Sequence, residues 1–181
     1  WSIAFLPNGD MLVTERPGRL RIIRDGSLLA ESVPGVPAVR FGGQGGLQDV
    51  VIHPDFESNR IVYLSYSKNN EDESLGTTAL SRARFENDRL VDVEEILVAA
   101  AGKERPGHYG ARIAFDHDGY LFMSVGERMA GLGSNGMDPD LEGHPAQNRA
   151  NHQGSIVRLN DDGSVPSDNP FVGQDGYMPE I

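Results

Sequence analysis

The stretch Ile113-Ala114-Phe115-Asp116-His117-Asp118-Gly119-Tyr120-Leu121-Phe122-Met123-Ser124-Val125-Gly126-Glu127 reads as strand, tight turn, strand. Its centre is Asp118-Gly119, a pair that accepts left-handed backbone cheaply and so closes hairpins. The pattern recurs near the start as Ile3-Ala4-Phe5-Leu6-Pro7-Asn8-Gly9-Asp10-Met11-Leu12-Val13-Thr14-Glu15. A third copy runs Val50-Val51-Ile52-His53-Pro54-Asp55-Phe56 and resumes after a short insertion at Ile61-Val62-Tyr63-Leu64-Ser65-Tyr66. The second strand of each copy is almost continuously apolar. That predicts burial on both faces, as for inner strands in a stack of sheets.

Further strands follow each copy. Arg19-Leu20-Arg21-Ile22-Ile23-Arg24 meets Asp25-Gly26, Thr78-Ala79-Leu80-Ser81-Arg82-Ala83-Arg84-Phe85 runs into Glu86-Asn87-Asp88, and Ser155-Ile156-Val157-Arg158-Leu159-Asn160 meets Asp161-Asp162-Gly163. No segment has a convincing helical period. Residues 90–101, with Val91, Val93, Ile96 and Val98, are read as extended. Each unit then holds about four strands in roughly 45–65 residues, the size of a propeller blade with loop insertions. The expected fold is all-β: one partial β-propeller domain over residues 1–181, with about three four-stranded blades near 1–46, 47–107 and 108–181. Propellers close with about 4–8 blades, so three would leave bare faces that invite association. An incomplete chain, or two copies completing one ring, is expected. A small β-sandwich is the alternative architecture.

Bulk properties narrow the function classes. Among 181 residues there are 22 Gly and 11 Pro, placed between short apolar runs as in sheet proteins. The net charge of −11 excludes a nucleic-acid surface, which needs clustered Lys and Arg. No cysteine is present, so disulfides and thiolate metal sites are excluded. No run of about 18 apolar residues suggests a membrane span. No signal peptide is visible, since Trp1 opens directly into a strand-like segment.

Several motifs stand out. They are Gly43-Gln44-Gly45-Gly46-Leu47 followed by His53-Pro54-Asp55-Phe56; Gly107-His108-Tyr109-Gly110-Ala111-Arg112 running into Gly126-Glu127; the stretch from Gly154 through Pro166-Ser167-Asp168-Asn169-Pro170-Phe171; and Phe5-Leu6-Pro7-Asn8-Gly9 with Val13-Thr14-Glu15-Arg16. In these motifs and their order the chain resembles the N-terminal half of the soluble aldose sugar dehydrogenases that use pyrroloquinoline quinone (PQQ), the glucose/sorbosone dehydrogenase family. The resemblance implies a six-bladed propeller with PQQ and calcium over the central channel. It implies oxidation of an aldose at its anomeric carbon to a lactone, with hydride passing to PQQ and electrons leaving to an external acceptor. It also implies a periplasmic or secreted location. The cofactor's main cations and the calcium ligands are expected after Ile181, so this chain alone is expected to bind PQQ weakly or not at all and to be inactive in isolation.

Lactone formation needs a base near the anomeric hydroxyl, and histidine serves near neutral pH. The resemblance assigns that role to His108; from its residues alone it reads as a surface loop histidine. Gln44, in a glycine-rich loop, is assigned to the sugar, since its amide can donate and accept; the alternative is an exposed linker residue. Glu127 is a candidate to fix the base's tautomer, or a solvated strand-end charge. It departs from the Asp common in the family at this point. His53 and His117 are read as structural or solvent-facing. His144 and His152 lack zinc spacing, and no metal ligand is assigned. The acidic run at 71–73 is read as a solvated loop, and 161–163 as a hairpin turn rather than a calcium loop. Two competing functions are a non-catalytic sugar- or partner-binding propeller formed by two half-rings, and a propeller lactonase.

Overall fold

A computed structural model describes residues 1–71, 73–130 and 144–181. Asp72, in the middle of the acidic run, lies outside the described residues. The chain forms three antiparallel sheets in sequence order. The first holds β1 (Ile3–Phe5), β2 (Met11–Glu15), β3 (Arg19–Arg24) and β4 (Ser27–Leu28). The second holds β5 (Leu47–Ile52), β6 (Ile61–Asn69), β7 (Gly76–Glu86) and β8 (Arg89–Val98). The third holds β9 (Gly110–Phe115), β10 (Leu121–Val125) and β11 (Ile156–Leu159). Residues 90–101, read as extended, supply most of β8. Helix is confined, among the described residues, to α1 (Phe56–Asn59) and one 3₁₀ turn at Pro145–Gln147.

Each sheet is a meander whose turns follow from local chemistry. Arg24 pairs with Ser27, which leaves Asp25-Gly26 as a two-residue turn with both φ positive, at 50° and 73°. At Asn8-Gly9 and Asp118-Gly119 only the glycine is left-handed, at 91° and 87°, so these connections are longer than the shortest hairpin turn. Asn8 instead accepts the Asp10 amide at 3.1 Å. Between β5 and β6 the insertion coils into α1, anchored by buried Phe56.

The expected four strands in the third sheet are not found: among the described residues it has three. After the turn at 161–163, Pro166 and Pro170 remove backbone donors that a fourth ladder would need. The outer edge of β11 is satisfied otherwise. Arg158 N–H donates to the Glu180 carbonyl at 2.7 Å, and the Asn169 amide donates to the Arg158 carbonyl at 3.0 Å.

Two cores lie between the sheets. Leu12, Leu20 and Ile22 of the first sheet meet Val50, Val62, Leu64 and Tyr66 of the second. Tyr63 and Leu80 of the second meet Ile113, Leu121, Met123 and Val157 of the third. Neighbours on β6 therefore serve opposite cores, as the period of two demands. The expectation of two-sided burial holds for β6, which has a sheet on either side. It fails for β2 and β10, which alternate buried and half-buried residues because they belong to the outer sheets. β5, the first strand of the second sheet, packs against β1 and β2 of the first sheet and against β9 of the third. On the outer sheets Ile3, Phe5 and Ile156 are exposed.

Candidate active site

The site forms where the loop before β9 meets the glycine-rich loop before β5. Three polar groups of the second sheet pin the incoming segment at alternate backbone positions. Thr78 donates to the Tyr109 carbonyl at 2.7 Å, Ser65 donates to the Ala111 carbonyl at 2.6 Å, and the Asp49 carboxylate accepts from Ile113 N–H at 2.9 Å. Asp49 is buried and also takes the Ser2 hydroxyl at 2.5 Å, so one carboxylate joins all three sheets. Gly110 sits at φ 73°, and a β-carbon there would lie 2.7 Å from Gly126 N. Gly126 cannot carry one either, because it would enter the His108 carbonyl.

The three residues singled out in the sequence converge here. His108 Nδ1 hydrogen-bonds Glu127 Oε1. The His108 backbone N–H donates to Gln44 Oε1 at 2.8 Å. Gln44's carbonyl thus holds the loop, and its NH2 has no partner among the described residues, so the amide enters the site chiefly as a donor. His108 itself is left-handed, at φ 48°, an uncommon conformation for a residue with a β-carbon and one that clusters at functional sites. Burial raises the Glu127 pKa, but the hydrogen bond from His108 and those from backbone N–H groups outweigh it, and the carboxyl lies below its ordinary value of 4.5. Glu127 is therefore an anion at neutral pH. A carboxylate against Nδ1 fixes the proton there and leaves Nε2 as the imidazole's basic nitrogen.

His108 and Gln44 line an open cleft of about 360 Å³. Trp1, Ser2, Gln48, Asp49 and Arg112 are among its other lining residues. Arg112 lies 3.4 Å from Asp49 with its side chain 75 % exposed, so a cation stands at the cleft surface. Sequence reasoning missed Asp49, Arg112 and Arg128. A signal existed for Asp49, an acid directly before the apolar run Val50-Val51-Ile52 in a strand.

The other histidines lie elsewhere. His53 accepts the Asp55 amide at 2.9 Å and packs edge-on to Phe115, a structural role as expected. His117 is exposed in the β9–β10 turn. His152 is buried against Ala100 N–H and Glu180. Among the described residues no three His, Asp or Glu side chains converge on a point that could hold a metal. None of the described helices is long and apolar enough to cross a membrane.

Stacked antiparallel sheets with a histidine–carboxylate pair beside an open cleft define an all-β protein. The model of the Glucose / Sorbosone dehydrogenase family matches residues 1–181, and the chain belongs to that family. It is 39% identical over 184 residues to aldose sugar dehydrogenase YliI of Escherichia coli, matching all of this chain and 46% of the relative. A crystal structure of a glucose dehydrogenase superposes with a TM-score of 0.87 at 39% identity, covering 100% of this chain and 50% of the other. The PQQ-bound aldose sugar dehydrogenase of Streptomyces coelicolor gives 0.75 at 25% identity, covering 96% and 48%. The chain spans about half the length of the curated relatives it matches.

Proposed function

We propose that the protein containing this chain oxidises aldose sugars to lactones with PQQ as hydride acceptor, and that His108 is its general base. The observation that carries the reading is the His108 ring: its Nδ1 is held by the Glu127 carboxylate while the residue lines the cleft. The proton of the anomeric hydroxyl passes to Nε2. Glu127 stabilises the imidazolium that results, and Gln44 offers its NH2 to a sugar oxygen. The quinone, when bound, supplies the electrophilic carbonyl that takes the hydride from the anomeric carbon, and its electrons pass on to an external acceptor. The three sheets serve as the first blades of a six-bladed propeller, near residues 1–46, 47–107 and 108–181.

The residues present fit one edge of such a cofactor. PQQ carries three carboxylates, and Arg112 is the cation in the cleft available to one of them. The PQQ-bound relative supports the same cofactor. Calcium, which the resemblance implies, finds no ligand set among the described residues, so no step here uses it. A periplasmic or secreted location belongs to the same proposal.

The test uses the full-length protein with PQQ, calcium, an aldose and a dye acceptor. His108→Ala should lower kcat by about 10²–10⁴-fold, the usual worth of a positioned base. Dye reduction at the wild-type rate in that variant refutes the assignment.

A further inference from the structure

The largest fully buried side chain among the described residues is an arginine, Arg128. No carboxylate forms an ion pair with it among the described residues. Burying an unpaired cation is costly, and burial holds its pKa below the ordinary arginine value. What offsets that cost is a set of contacts, all but one of them on one short loop. Nη1 donates to the Gly107 carbonyl at 2.6 Å, and Nη2 donates to the carbonyls of Arg105 and Gly76, each at 3.1 Å. The guanidinium carbon lies 3.5 Å from the centre of the Tyr109 ring. The backbone N–H of Arg128 donates to the His108 carbonyl at 3.2 Å.

These contacts bracket the base. Residues 105, 107 and 109 flank His108 on both sides, and Arg128 directly follows Glu127 in the chain. The carbonyls of Arg105 and Gly107 have no other donor among the described residues. A planar fork with five N–H groups can serve carbonyls from separate segments while stacking on a ring; an ammonium or an apolar side chain cannot. Arg128 adopts φ 64° and Met129 φ 55°, so the chain takes a strained path that brings this side chain back under the loop.

We infer that Arg128 is a positioning residue: it clamps loop 105–109 so that the His108 ring stays against Glu127 and its basic nitrogen stays in the cleft. The inference rests on the reading of His108 as the base. A guanidinium serving only the fold would set stability and leave the base's geometry and kcat untouched.

The experiment compares Arg128→Ala, Arg128→Lys and His108→Ala in the full-length protein. Arg128→Ala should lose about 10- to 100-fold in kcat, the cost of misplacing a reacting group by about an ångström. KM should move by less than about threefold, because the cleft's sugar contacts remain. Free guanidinium ion, below denaturing concentration, should restore part of that loss in Arg128→Ala and none in His108→Ala. In the cofactor-free protein, ¹⁵N NMR should show the His108 Nδ1–H resonance weakened in Arg128→Ala. Arg128→Lys should fall between wild type and alanine in both readouts. Wild-type kcat and an unchanged Nδ1–H resonance in Arg128→Ala, with or without lost stability, overturn the inference while leaving the base assignment intact. If the alanine variant does not fold, the same pair of results in Arg128→Lys overturns it. An active His108→Ala overturns the base reading and this inference with it.

Discussion

Glu127→Gln isolates the contribution of one charge. The variant keeps the size of the side chain and an oxygen able to accept from His108 Nδ1, but removes the anion. A hydrogen bond to a charged group is worth about 1.5–3 kcal/mol and a neutral one about 0.5–1.5, so the imidazolium loses about 1–1.5 kcal/mol of support. At 1.36 kcal/mol per decade that is roughly five- to tenfold in kcat. A second effect adds to it. The neutral amide can turn its NH2 toward Nδ1, which moves the ring proton to Nε2 and removes the base. With the side chain 28% exposed, both effects are moderated by solvent, and we expect a total loss of about 10- to 100-fold in kcat with little change in KM. Stopped-flow or steady-state dye reduction at saturating aldose measures it. Stability offers a parallel check. Because the folded-state pKa of Glu127 is lowered, its ionised form stabilises the fold above the ordinary value of 4.5, and the gain disappears as pH falls through the lower folded value. The stability difference between wild type and Glu127→Gln should therefore narrow as the solution is acidified below 4.5. A variant within about twofold of wild-type kcat refutes the claim that the carboxylate tunes the base.

Two other substitutions probe the scaffold under the site. Gly126→Ala places a methyl group in the His108 carbonyl, so it should cost about 1–3 kcal/mol by thermal unfolding and displace the base; unchanged stability and activity would sink the packing argument. Asp49→Asn gives the Ile113 N–H and the Ser2 hydroxyl one acceptor oxygen in place of two. It should lower stability by about 1.5–3 kcal/mol, read as an earlier urea midpoint at constant slope, and an unmoved midpoint refutes the tie between sheets.

Much of the sheet structure was legible because it depends on neighbours in sequence. Asp25-Gly26 can adopt two successive left-handed residues, and the structure places a two-residue turn there. Residues 90–101 were recognisable as extended from their branched side chains. That the third sheet has three strands among the described residues, and not the expected four, was not legible, because the 161–163 turn resembles a hairpin while the competing pairing of β11 comes from Asn169 and Glu180, further along the chain. Two-sided burial of the second strands was right for β6 and wrong for β2 and β10, because apolar content does not report how many sheets flank a strand.

Of the site, the family resemblance carried by the local motifs named His108 and Gln44, and Glu127 stood out as a carboxylate at a strand end; from residue type alone His108 read as a surface loop histidine. Sequence alone also determined the alternation of strands and turns and the anionic, cysteine-free composition. Only the folded chain decided that Gln44, 64 residues before His108, spends its carbonyl on that residue's amide, and that Glu127 meets Nδ1 from the far end of a hairpin. Only the folded chain buried Arg128 beneath the loop, because hydrogen bonds to backbone carbonyls leave no mark in the identity of the residues that supply them. Sequence separation is not distance, and contacts between sheets are set by packing that no local pattern encodes.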